Sequence, residues 1–119
     1  MSERILIAED DDNVRLMLFE NLMLAGYSVS AVDNGLDLMR LAASSSGFDL
    51  IITDVCMPKG EGDDLISLLR EKKILTPAIL VTAYYTACPP QGVPILLKPF
   101  TRDDLQKLVA EMLNPALCK

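Results

Sequence analysis

The stretch Phe48-Asp49-Leu50-Ile51-Ile52-Thr53-Asp54 most narrowly limits the folds open to this chain. Three adjacent apolar side chains leave no room for a helical period. Such a run suits a strand covered on both faces, the central position of a parallel sheet. It stops at a carboxylate, and Pro58 and Gly60 in the following loop break any regular structure. In an open α/β sheet, chemistry gathers in the crevice outside the carboxyl ends of the strands. A single Asp there often does no more than cap the next helix, so the other strand ends have to decide.

Arg4-Ile5-Leu6-Ile7-Ala8 is a second short apolar run, and Glu9, Asp10, Asp11 and Asp12 follow it. Asp11, Asp12 and Asn13 suit an N-cap and first turn, where the helix dipole favours them. Glu9 and Asp10 precede the helix, and capping does not account for them. Val14, Met17, Leu18, Leu22 and Ala25 recur at helical spacing, with Gly26 as the stop. Tyr27 to Val32 alternates like a more exposed strand, and Asp33-Asn34-Gly35 signals a turn. A short amphipathic helix over Leu36 to Ala42 fades at Ser44 to Gly47.

After the central run, Gly62-Asp63-Asp64 opens a helix expected to reach about Lys72, with Leu65, Leu68 and Leu69 on its buried stripe. Pro77 to Val81 and Val93 to Leu97 are two further apolar runs, ending at Thr82-Ala83 and Lys98-Pro99. Thr101 is a good N-cap for a last helix with the stripe Leu105, Leu108, Val109 and Met112. Strands that alternate with helices predict a doubly wound α/β fold, a parallel sheet covered on both sides.

At 119 residues the chain suits a single domain over 1–119, long enough to close a hydrophobic core. Eleven basic against seventeen acidic residues give a net charge of −6, which argues against direct nucleic-acid binding. No apolar run approaches the roughly 20 residues of a membrane span. Glu3 and Arg4 lie directly before a strand, with no signal-peptide pattern. Cys56, Cys88 and Cys118 are odd in number and fit no metal spacing, so reduced thiols and a cytoplasmic location are expected. The absence of His removes Ser/His and Cys/His catalysis and most zinc sites.

Four strand ends thus carry polar residues, Glu9/Asp10, Asp54, Thr82 and Lys98, and right-handed crossovers place them on one edge of the sheet. Converging carboxylates repel by roughly 4 kcal/mol per close pair at an effective dielectric of about 20. Such a cluster takes up protons or recruits a cation. Oxygen ligands without His favour a hard ion such as Mg²⁺, which keeps part of its shell for water and phosphate oxygens. A Lys point charge and a Thr hydroxyl beside it suit a phosphoryl group. The constellation points to a carboxylate that accepts a phosphoryl group with Mg²⁺ assistance.

In these features the chain resembles the receiver domains of two-component response regulators, of the chemotaxis-protein CheY type. The resemblance runs from Arg4 to about Leu113. It rests on Glu9-Asp10, on Asp54-Val55-Cys56-Met57-Pro58 with Gly62 closing the loop, on Thr82-Ala83, and on Lys98-Pro99-Phe100. It implies a five-stranded sheet in the order 2-1-3-4-5. It also implies that Asp54 accepts a phosphoryl group from a phosphohistidine on a sensor histidine kinase or phosphotransfer protein. Asp10 and Asp54 would hold Mg²⁺ directly, Glu9 through water, and the Cys56 backbone carbonyl would complete the site. Thr82 would bond one phosphoryl oxygen and Lys98 another, with a cis Lys98–Pro99 bond and with Ala83 leaving the attacked face open.

The chain departs from that pattern between Thr82 and Lys98. Cys88-Pro89-Pro90-Gln91-Gly92 cannot sustain three helical turns, so the helix that receivers carry there is expected to be missing or reduced to one turn. Ile95 stands where the resemblance implies a switching aromatic, which leaves Tyr84, Tyr85 or a different face for output. Little chain follows Leu113, so a stand-alone module without an output domain is expected, with a piece of a longer hybrid kinase as the alternative. A pseudo-receiver that binds partners without phosphorylation is disfavoured by Asp54, Lys98 and the acidic pair. An aspartyl phosphatase would need a general acid two residues after its nucleophile, where this chain has Cys56. A flavodoxin-like cofactor binder would need a phosphate loop after the first strand, and none is present.

Overall fold

The computed structural model describes residues 3–44, 47–55, 62–83 and 91–114. Its elements run β1 (Arg4–Ala8), α1 (Asp12–Leu24), β2 (Ser28–Val32), α2 (Gly35–Ala42), β3 (Leu50–Asp54), α3 (Gly62–Glu71), β4 (Ala78–Thr82), β5 (Ile95–Leu97) and α4 (Arg102–Leu113). All strand pairs are parallel, in the order β2-β1-β3-β4-β5. The doubly wound α/β sheet expected from the strand–helix alternation is therefore present, with the continuous run of β3 at its centre.

Strands β1, β3 and β4 are apolar on both faces because each face has its own helical layer. On one side Leu6, Ala8, Ile51, Ala78 and Leu80 pack with Leu38 of α2 and with Leu65, Ile66 and Leu69 of α3. On the other Ile5, Ile7, Leu50, Ile52, Ile79 and Val81 pack with Leu18 and Leu22 of α1 and with Leu105 and Val109 of α4. Successive strand residues alternate between the two clusters, as the pleat requires. Ile52 has no solvent exposure. Ile52→Ala is expected to destabilise the fold by about 3 kcal/mol, the transfer loss plus an unfilled cavity, read as a lower urea midpoint at unchanged m-value.

Local chemistry sets the element ends. Asp11 caps α1, its side chain accepting from the Asn13 and Val14 N–H groups at 2.9 and 3.2 Å. Thr101 and Asp104 form a reciprocal capping box at the start of α4. Gly26, at φ +98°, takes the left-handed turn that stops α1. One boundary differs from the sequence pattern. The run beginning at Val93 yields only a three-residue strand, because Pro94 has no N–H to give the ladder; its carbonyl still accepts from Leu80 N–H at 3.0 Å. Helix α3 ends at Glu71, and Lys73 supplies the left-handed residue of the turn at φ +66°. Four helices are present among the described residues. The segment expected to lack a full helix, 84–92, falls largely on 84–90, outside those residues.

Candidate functional site

The parallel sheet carries every strand's carboxyl end to one edge. β1 stands beside β3, with Ala8 opposite Thr53, so Glu9 and Asp54 both emerge just past that pair. Glu9 is almost fully enclosed at 1% exposure, and Asp54 is 8% exposed. Asp10 is exposed beside them. One carboxylate oxygen from each of Glu9, Asp10 and Asp54 lies within 4.8 Å of the others.

Lys98 reaches this cluster from the end of β5. Its Nζ donates to Glu9 Oε1 at 2.7 Å and to Asp54 Oδ2 at 3.2 Å. The Lys98 N–H donates to the Thr82 carbonyl at 2.7 Å, which ties the end of β5 to the end of β4. The Lys98–Pro99 bond is cis. Thr82 is buried at the end of β4, next to β3 in the sheet, and Ala83 after it is exposed.

Burial dominates the electrostatics. It pushes the Glu9 carboxyl up to about 8, with hydrogen bonding to Asp54 adding to the rise and Lys98 opposing it. Burial alone would lower the Lys98 ammonium, but bonds and charge from Glu9 and then Asp54 outweigh it, so Lys98 is raised. Lys98 is thus a firmly charged cation held against a carboxyl that burial keeps reluctant to ionise.

The donor set fits a hard divalent cation. Three carboxylate oxygens converge, and among the described residues of the cluster there is no nitrogen or sulfur ligand to favour a softer metal. The structure therefore brings Glu9, Asp10, Asp54 and Lys98 together, with Thr82 on the same edge. Cys56, Tyr84 and Tyr85 lie outside the described residues.

Two features were not marked by the sequence pattern. Arg15 donates from Nη1 to the Glu9 carbonyl at 3.0 Å and from Nη2 to Asp12 Oδ1 at 2.6 Å. An Asp–Arg pair three residues apart on a helix is by itself only a surface ion pair. Val14 and Met17, whose spacing marked them as helix core, line a cavity of about 420 Å³ beside the site with Ala83, Lys98, Pro99 and Phe100.

Residues 5–110 match the family model described as response regulator receiver domain. Regulatory protein AtoC of Escherichia coli is 33% identical over 117 residues, an overlap covering 93% of this chain and 25% of AtoC. Response regulator receiver protein CpdR of Brucella abortus is 31% identical over 120 residues, covering 96% of this chain and 99% of CpdR. The chain therefore spans about a quarter of the first relative and nearly all of the second. Response regulator protein TrrA of Thermotoga maritima, solved in complex with Mg(2+)-BeF, superposes with a TM-score of 0.83 at 29% identity, covering 93% of this chain and 99% of TrrA.

Proposed function

The chain belongs to the response regulator receiver domain family of two-component signalling, and from that membership we propose that Asp54 is its phospho-acceptor and that Glu9, Asp10 and Asp54 hold the Mg²⁺ the transfer requires. The observation that carries this is the convergence of the three carboxylates within 4.8 Å, with Lys98 bonded to two of them. The donor is a phosphohistidine on a histidine kinase or phosphotransfer protein. An Asp54 carboxylate oxygen bonds to phosphorus while the P–N bond breaks, and the imidazole departs with that electron pair.

Bound Mg²⁺ would neutralise charge on the phosphoryl oxygens; the backbone carbonyl of Cys56 is proposed as a further ligand. Asp54 sits at the rim of a rigid strand, so its carboxylate needs little reorganisation to meet a donor. Lys98 supplies a point charge for one phosphoryl oxygen and the Thr82 hydroxyl a neutral donor for another. The exposed Ala83 leaves that side open. Self-catalysed, Mg²⁺-dependent phosphorylation from small donors and subsequent hydrolysis belong to the same proposal, as does a single receiver unit working in the cytoplasm. Because Ile95 has no ring to move, either Tyr84 or Tyr85 is proposed to take the part of the usual aromatic switch, or output uses a different face.

The test is incubation of the purified chain with acetyl phosphate and Mg²⁺, read by intact mass. One phosphoryl adduct is expected with Mg²⁺ and none in EDTA. No adduct at any Mg²⁺ concentration would leave a module that binds its partners without being phosphorylated.

A further inference from the structure

Glu9 has both of its backbone polar groups fixed from outside its own strand. Its N–H donates to the Val32 carbonyl at the end of β2, at 3.0 Å. Its carbonyl accepts from Arg15 Nη1, also at 3.0 Å. The other arm of the guanidinium holds Asp12 Oδ1 at 2.6 Å in the first turn of α1. Asp11 is itself locked as the cap of that helix. Asp10 therefore sits between two residues that are each tied by hydrogen bonds.

The pair with Asp12 explains little of why this Arg is held so closely. Asp12's side chain is 87% exposed, and an exposed ion pair of this kind contributes about 0–1 kcal/mol. The bond to the Glu9 carbonyl does something an ion pair does not: it sets the direction in which β1 ends, and with it where the Glu9 and Asp10 side chains point. A planar fork can hold a carbonyl and a carboxylate at once, which a Lys point charge cannot do in fixed geometry.

We infer that Arg15 is a positioning residue for the divalent cation, bracing the end of β1 so that Glu9 and Asp10 present their oxygens toward Asp54. This rests on the assignment of Glu9, Asp10 and Asp54 as the Mg²⁺ site. The sign of the effect separates bracing from charge. A guanidinium bonded to the Glu9 carbonyl, one residue before Asp10, repels a cation approaching the cluster, so on charge alone its removal tightens Mg²⁺ binding. Bracing demands the opposite. Groups that orient metal ligands typically change affinity by about 10–100-fold, and Arg15 acts one step back, on the backbone.

The experiment is calorimetric titration of the full chain with MgCl₂, comparing wild type, Arg15→Met, Arg15→Lys and Asp10→Asn. Thermal unfolding in EDTA is followed alongside. Arg15→Met is expected to bind Mg²⁺ about tenfold more weakly, at the lower end of the effect of ligand-orienting groups. Arg15→Lys should show a smaller weakening. It keeps the charge and most of the stem, so charge alone predicts no change, and it carries the test if Arg15→Met does not fold. Wild-type binding that Asp10→Asn abolishes, with both Arg15 variants equal to wild type or tighter, overturns the bracing role alone. Lower unfolding temperatures without a change in Mg²⁺ affinity do the same. Wild type that binds no Mg²⁺, or binds it undisturbed by Asp10→Asn, overturns the site assignment and the bracing role together.

Discussion

Asp54→Asn is expected to take up no phosphoryl group from acetyl phosphate at any Mg²⁺ concentration. The substitution keeps the shape of the side chain and exchanges the nucleophilic carboxylate for an amide, which does not form a stable phosphoryl adduct. It also removes the charge of one of the three converging carboxyl groups. Asp54 helps to raise the Glu9 carboxyl, both by hydrogen bonding and by charge, so in the variant that carboxyl should titrate lower. Two readouts therefore move from one change: the adduct disappears from the intact-mass spectrum, and Mg²⁺ binding weakens with the loss of a proposed direct ligand. Asp54 is 8% exposed at the strand's end, so the amide fits with little rearrangement and near-native stability is expected. An adduct that persists in Asp54→Asn would place the phospho-acceptor elsewhere.

Lys98→Met is expected to destabilise the metal-free chain by about 3 kcal/mol at about pH 9, and by markedly less at about pH 6. The cause is the partner left behind. Glu9 is 1% exposed and bonded to Lys98 at 2.7 Å. Without the ammonium, alkaline solution forces a choice between a bare buried carboxylate and a proton held against the pH. At lower pH the carboxyl is already neutral and loses little.

The sign for the wild type follows from the same group. Glu9 moves from 4.5 in its ordinary state to about 8 in the fold, so between those values the folded chain keeps a proton that the unfolded chain has released. A proton bound by the folded state alone stabilises it, so in EDTA stability should fall as pH rises through that window. Lys98 is raised above its usual 10.5, so its own contribution is whole across the window and fades only in more alkaline solution. Urea unfolding in EDTA at the two pH values measures both effects, and Glu9→Gln should flatten the wild-type slope. An equal loss for Lys98→Met at both pH values would show that Glu9 is not the group that suffers.

Much of this architecture could be read from periodicity. Runs such as Leu50-Ile51-Ile52 are too short and too uniformly apolar for an amphipathic helix, and they sit where both faces of the sheet are covered. Glu9, Asp10, Asp54, Thr82 and Lys98 could be picked out because each interrupts such a run. A parallel sheet then brings those interruptions to one edge. What stayed hidden depends on three-dimensional angles rather than on pattern. The reach of Arg15 back to the Glu9 carbonyl is fixed by how α1 departs from β1, and no spacing rule encodes it. The shortening of β5 follows from a missing donor at Pro94, although the hydrophobic run continues through it. At Lys73 a left-handed turn is filled by a residue that carries no turn signal of its own.

The two-sided strands leave one problem that the charged residues solve. Where only one face of a strand is greasy, sliding it by a single residue throws its apolar side chains into water, and the alignment is self-correcting. Here such a slide trades Ile52 for Ile51 between two oily layers, and the interior scarcely notices. The ionic tips do notice. Drawing β3 inward by one step would drag the Asp54 carboxylate beneath the rim and away from Lys98, at a desolvation penalty of several kcal/mol. The Asp54 tip thus works as an end-stop for β3, holding it at the one depth that keeps the carboxylate at the rim and against its counter-charge.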